Sequence, residues 1–123
     1  MMGLFDNKGT VVFDFDGVIH SYTSGWQGEG VANDPIVPGM AEELKRIHND
    51  GYKVVIVSTR CTTRKGTDCV NDYLLNNGVL KYVDLITAKK PPAICYIDDR
   101  AICFDGNPEG LLEKIQNFKP WNK

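Results

Sequence analysis

Residues 10–19 read TVVFDFDGVI. The first six, TVVFDF, are β-branched and aromatic with no breaker, the composition of a buried strand. The run then delivers Asp14 and Asp16 and turns at Gly17. Two residues apart on an extended backbone, the two carboxylates point the same way and Phe15 points opposite. Two further continuous apolar runs follow, KVVIVST at 53–59 and AICYID at 93–98, with shorter strand candidates at 85–87 and 102–104. Continuous rather than alternating apolar strands suit a parallel sheet covered on both faces.

Helical patterns separate these strands. Residues 38–49 carry Met40, Leu44 and Ile47 on one face and stop at Gly51; residues 67–77 carry Val70 and Leu74 and stop at Gly78. Asn107-Pro108 supplies an N-cap and first-turn pair for a last helix bearing Leu111, Leu112, Ile115 and Phe118. Strands alternating with helices give an α/β class, with a mostly parallel three-layer Rossmann-like sheet and right-handed crossovers. Residues 20–38, HSYTSGWQGEGVANDPIVP, form a Gly-, Ser- and Pro-rich flap without period, with a short hairpin expected around Ser24-Gly25. No repeat or linker divides the chain, so residues 1–123 are expected to form one domain.

Bulk properties narrow the function. A net charge of −2 over 123 residues provides no general polyanion-binding face, so nucleic acid would have to be gripped locally. No apolar run approaches the roughly 18 residues of a membrane span, and the start MMGLFDNKGT lacks the pattern of a signal peptide. The four cysteines, Cys61, Cys69, Cys95 and Cys103, match no zinc spacing and read as free thiols, which favours a reducing cytoplasm.

Open α/β sheets bind ligands beyond the carboxyl ends of their strands. There the first run delivers Asp14 and Asp16, the second Ser58, Thr59 and Arg60, and the third Asp98, Asp99 and Arg100, with Lys89 and Lys90 just ahead of it. Up to four converging carboxylates need protons or a cation between them. A hard divalent ion with oxygen ligands is the natural partner, and Mg2+ suits a site that also holds phosphate. Metal-ligand candidates are therefore Asp14, Asp16, Asp98 and Asp99. Lys90, Ser58 and Thr59 are candidates for phosphate, while Arg60 and Arg100 could each clamp a second phosphate or carboxylate or simply pair with an aspartate. Tyr22 and Trp26, on the flap beside the first motif, could stack on a base or pack the hairpin. His20 reads more naturally as a solvent-facing or structural residue than as a catalytic one.

Together, VVFDFDGVI, VVIVS, Lys90 and YIDD resemble the four motifs of the haloacid dehalogenase (HAD) superfamily of phosphatases and phosphotransferases, spread over residues 11–99. The resemblance implies a HAD-like fold and a Mg2+-dependent phosphohydrolase. It makes Asp14 the nucleophile that forms an aspartyl-phosphate, and Asp16 the acid that protonates the leaving oxygen and later activates water. It makes Ser58 and Lys90 phosphate ligands, with Lys89 the alternative, and Asp98 and Asp99 metal ligands. Asp16 is then expected to have a raised pKa. HSYTSGWQG, STR and KPPAICYIDDRAICF further resemble small, often phage-encoded HAD-like proteins, which would place the chain in a host cytoplasm. The segments after the first two motifs are too short for a cap domain, so an open site is expected, unless a homo-oligomer covers it. Expected ligands are a nucleotide, a nucleic-acid end or another small phosphoester. The competing expectation is a phage protein that sequesters a nucleotide on the same fold without turnover.

Overall fold

The structure is a computed structural model that describes residues 8–123. The leader-like pattern sought at the N-terminus falls partly on residues 1–7, outside the described residues. Four strands, β1 (Thr10–Asp14), β2 (Lys53–Val57), β3 (Leu85–Thr87) and β4 (Cys95–Ile97), form one parallel sheet in the order β3-β2-β1-β4. Three helices, α1 (Met40–Asn49), α2 (Arg64–Asn76) and α3 (Leu111–Gln116), complete a three-layer α/β fold without a cap domain. No helix among the described residues is long and apolar enough to cross a membrane.

The first described strand, β1, lies inside the sheet. Its register sets Asp14 opposite Val57 on β2, and Phe13 opposite Ile97 on β4. Three strand ends are thereby aligned at one edge, with Ser58, Asp98 and Asp99 continuing beyond them. Val11 and Phe13 of β1 and Val54 and Ile56 of β2 face a core shared with Leu44, Val70, Tyr73 and Leu74. Val12 and Val55 alternate to the opposite face and are also buried.

Local chemistry explains where the elements depart from expectation. Helix α2 begins at Arg64, three residues earlier than its apolar pattern, because the Thr63 hydroxyl accepts from the Gly66 amide at 3.1 Å as an N-cap. The last helix begins at Leu111, not after Asn107-Pro108. Asn107 does cap the Glu109 amide at 3.0 Å, but Gly110 then adopts φ 80° and restarts the chain. Residues 102–104 form no strand and lie exposed, with no ladder to join. Ser24-Gly25 sits in a turn closed by Gly25 N–H to Tyr22 O at 3.1 Å, without the flanking strands of a hairpin.

Among the described glycines, Gly66 has the tightest surroundings. A Cβ there would lie 1.8 Å from the carbonyl oxygen of Arg60, in a backbone that cannot swing away. Overpacking of this kind costs about 1–3 kcal/mol. Gly66→Ala is expected to lower unfolding stability by that amount in urea titration, whereas Gly25→Ala, which meets nothing within 4 Å, can lose stability only through its positive φ.

Candidate active site and metal centre

Strand β1 runs out at Asp14, whose Oδ1 accepts from the Phe15 amide at 2.9 Å. The chain then knots on itself. The amides of Val18, Ile19 and His20 all converge on the Phe15 carbonyl at 3.0–3.3 Å, and Gly17 N–H donates to His20 O at 2.7 Å. Gly17 makes the knot feasible with φ 84°. It also makes room: a Cβ at Gly17 would stand 2.1 Å from Asp99 Oδ2. The absence of a side chain at position 17 is what admits Asp99 to the loop.

One carboxylate oxygen from each of Asp14, Asp98 and Asp99 lies within 4.8 Å of the other two. Asp98 is held from behind by the Arg100 amide, which donates to its Oδ1 at 2.8 Å. Lys90 lines a small cavity of about 60 Å3 with Asp14, Asp98, Val12, Val57 and Ile97. Its Nζ rests 4.1 Å from the centroid of the Tyr96 ring, and the Tyr96 hydroxyl in turn bonds Pro91 O at 2.7 Å. Of the two lysines, it is Lys90 that lines this cavity with Asp14. Ser58, one residue past the partner of Asp14 on β2, is buried; its Oγ accepts from Arg60 N–H at 3.2 Å and keeps its proton to donate. Thr59 is exposed at the same edge.

The acidic triangle carries an electrostatic cost. Burial first, then the negative charge of Asp98, pushes the Asp14 carboxyl up to about 7; Asp99 adds to the rise and the Phe15 amide opposes it. A carboxyl with that affinity for a proton is one that a cation would displace the proton from. The donor set fits a divalent ion. All three ligands are hard carboxylate oxygens, the donors that hard divalent cations take.

Asp16 does not join this cluster, contrary to the expectation that it would share the metal. Its two oxygens accept from Arg60 Nε at 2.8 Å and Arg60 Nη2 at 3.1 Å, and Oδ1 also faces His20 Nδ1 at 2.8 Å. The Asp34 amide donates to His20 Nε2 at 3.1 Å, which leaves Nδ1 to carry the imidazole proton and donate it to Asp16. The expected rise in the Asp16 pKa is reversed. Burial raises it, but the bonds from His20 and Arg60 together outweigh that and hold it below the usual carboxylate range.

Arg60, a candidate for phosphate or for pairing with an aspartate, takes the second of these roles. It is 2% exposed with each of its three guanidinium nitrogens hydrogen-bonded. Besides Asp16, its Nη1 reaches the carbonyl oxygens of Gly28, Glu29 and Val31 at 2.9–3.0 Å. Trp26 covers the guanidinium with its ring centroid 4.8 Å away, and Tyr22, at φ 62°, turns its ring toward His20 at 5.9 Å. These two flap aromatics therefore pack the Arg60–His20 core; Trp26 nonetheless remains 58% exposed. Of its two expected roles, His20 takes the structural one: it is 1% exposed and stacked on Phe15.

Two site-proximal residues carry no sequence signal. Trp121 Nε1 donates to Gly17 O at 2.6 Å, and Asn122 Nδ2 to Ser21 O at 3.1 Å, so the C-terminal tail straps the motif loop from 101–104 residues away. Neither spacing nor composition flags such a contact.

Two expectations follow. Asp16→Asn strands the buried Arg60 charge, and breaking such a pair costs about 3–5 kcal/mol; denaturant unfolding should register a loss of that order. For Asp14, the folded pKa of about 7 exceeds the ordinary 3.8. The native state then binds the extra proton between those values, so metal-free stability should fall as pH rises from about 4 to 7 and level off above. Millimolar Mg2+ should remove that decline in urea titrations run at pH 5 and pH 8, with EDTA as the control.

Comparison with known proteins returns no matching family model, no similar curated protein and no similar solved structure. The sequence and structure together establish a small α/β domain with a parallel Rossmann-like sheet and an acidic cluster at its carboxyl edge.

Proposed function

We propose that this chain is a Mg2+-dependent phosphohydrolase of the HAD type, acting on a nucleotide, a nucleic-acid end or another small phosphoester. The observation that carries the reading is the convergence of Asp14, Asp98 and Asp99 with Lys90 across a small cavity at one sheet edge. Asp14, Asp98 and Asp99 would hold the ion, which supplies charge neutralisation for a phosphate dianion and for the carboxylate that approaches it. Lys90 adds a second positive charge on the Asp14 side, and the Ser58 hydroxyl can donate to a phosphoryl oxygen.

Asp14 is the nucleophile in this scheme. Its carboxylate attacks phosphorus, the bond to the ester oxygen breaks, and an aspartyl-phosphate forms that water later hydrolyses. Asp16 differs from the role its position implies. Three N–H donors keep it ionised, so it is poor at supplying the leaving-group proton. Its work in this conformation is to fix Arg60 and the flap, and the leaving oxygen takes its proton from solvent at the open edge. Esters with good leaving groups, such as aryl phosphates, should then be the faster substrates.

The same ionised Asp16 favours a second reading, in which the domain binds a nucleotide without turning it over. The two part company in one experiment. Phosphate release from an aryl phosphate is expected with Mg2+, is expected to cease with EDTA, and should fall at least 1,000-fold in Asp14→Asn, the scale on which a lost nucleophile acts. Tight nucleotide binding with no phosphate released over hours would instead establish the sequestering protein.

A further inference from the structure

Beside the acidic triangle lies a second cavity, of about 240 Å3, lined by Gly17, Val18, Val37, Met40, Asp99 and Trp121 among others. Pockets for drug-sized ligands run to about 300–1,000 Å3, so this smaller space takes roughly one ring system. Its walls are chemically divided. Asp99 belongs to the ion-binding cluster, whereas Val18, Val37 and Met40 offer apolar surface and Trp121 an aromatic face. The Trp121 ring is fixed at its edge through the 2.6 Å bond from Nε1 to Gly17 O, yet the residue remains 59% exposed. An edge-anchored indole with a free face is preorganised to stack, since its own ordering is complete before a ligand arrives. Trp26, the other tryptophan, already covers the Arg60 guanidinium.

We propose that this cavity is the subsite for a planar aromatic group carried by the phosphoester, with Trp121 its stacking platform and specificity-determining residue. The inference rests on the phosphohydrolase reading for the position of the phosphoryl group, and it deepens that reading by naming the substrate class. The ester phosphorus lies by the Asp14–Asp98–Asp99 cluster, and the ring extends past Gly17 between Trp121 and the Val37–Met40 wall. An aliphatic phosphoester would leave this wall wet.

The test measures binding, so that it stands apart from turnover. Nonhydrolysable phosphonate analogues of adenosine 5′-monophosphate, phenyl phosphate and ribose 5-phosphate are titrated calorimetrically into the full chain with Mg2+. The wild type is compared with Trp121→Phe and Trp121→Ala. Base–aromatic stacking is worth about 1–3 kcal/mol, so Trp121→Ala should weaken the adenosine analogue roughly 5- to 150-fold and leave the ribose analogue unchanged. Trp121→Phe, which keeps a ring and loses the bond to Gly17, should retain most of the preference. A matching loss for the phenyl analogue identifies a general ring subsite, and a loss confined to the adenosine analogue identifies a nucleobase subsite; both support the proposal. Equal weakening of all three analogues, or none, overturns it and leaves Trp121 as a strap on the loop. Ring-dependent binding without phosphate release would retire the hydrolase reading while keeping the subsite. Phosphate release without ring preference would do the reverse.

Discussion

The buried guanidinium of Arg60 is the constraint on which the surroundings of the site depend. A charge at 2% exposure is sustained only when paired and fully bonded, and Asp16 meets half of that need with a two-pronged contact. The other half comes from three carbonyls of the flap at residues 28–31. A Gly-rich segment with no helix or strand of its own thus acquires one conformation by solvating an arginine. His20 adds a second tie, since it joins Asp16 to the Asp34 amide, and the Tyr73 hydroxyl fixes Asp34 O at 2.9 Å. Flap, motif loop and α2 are therefore one polar unit, and a change at any member is felt at Asp16.

This arrangement divides labour between two aspartates that the sequence presents as a pair. Asp14 sits where burial and neighbouring carboxylates penalise its charge, so it is receptive to a cation. Asp16 sits among donors that stabilise its charge, so it is a structural anion. Two residues of separation suffice because the chain turns sharply at Gly17, and same-side alternation applies only while the backbone stays extended.

That turn also sets the limit of what could be read from the sequence. The strands carried their own signal: TVVFD, KVVIV, LIT and CYI are apolar and β-branched or aromatic, and parallel pairing follows from their helical separators. The acidic triangle is legible because strand ends in a parallel sheet share an edge, which brings Asp14, Asp98 and Asp99 together in the sequence pattern, with Asp16 wrongly among them. The sequence leaves two roles open for Arg60 because a position at a strand end is the same for a ligand-binding arginine and one paired with an aspartate. Only the three flap carbonyls decide between them, and carbonyl direction is written in no side chain. The Trp121 contact depends on where a tail returns, a matter of tertiary packing with no local period.

The strand order β3-β2-β1-β4 has a consequence in time. The strand bearing the candidate nucleophile is the first described one in the chain and is flanked by strands that begin at residues 53 and 95. Its hydrogen bonds with β4 close a loop of some 80 residues, and parallel pairings at such separations form late because loop entropy is lost before contacts compensate for it. The β1–β2 pair with α1 can consolidate while Asp98 and Asp99 are still far from Asp14. In the proposed metal site, cation affinity would then emerge with the docking of β4, which would make metal binding a reporter of that pairing.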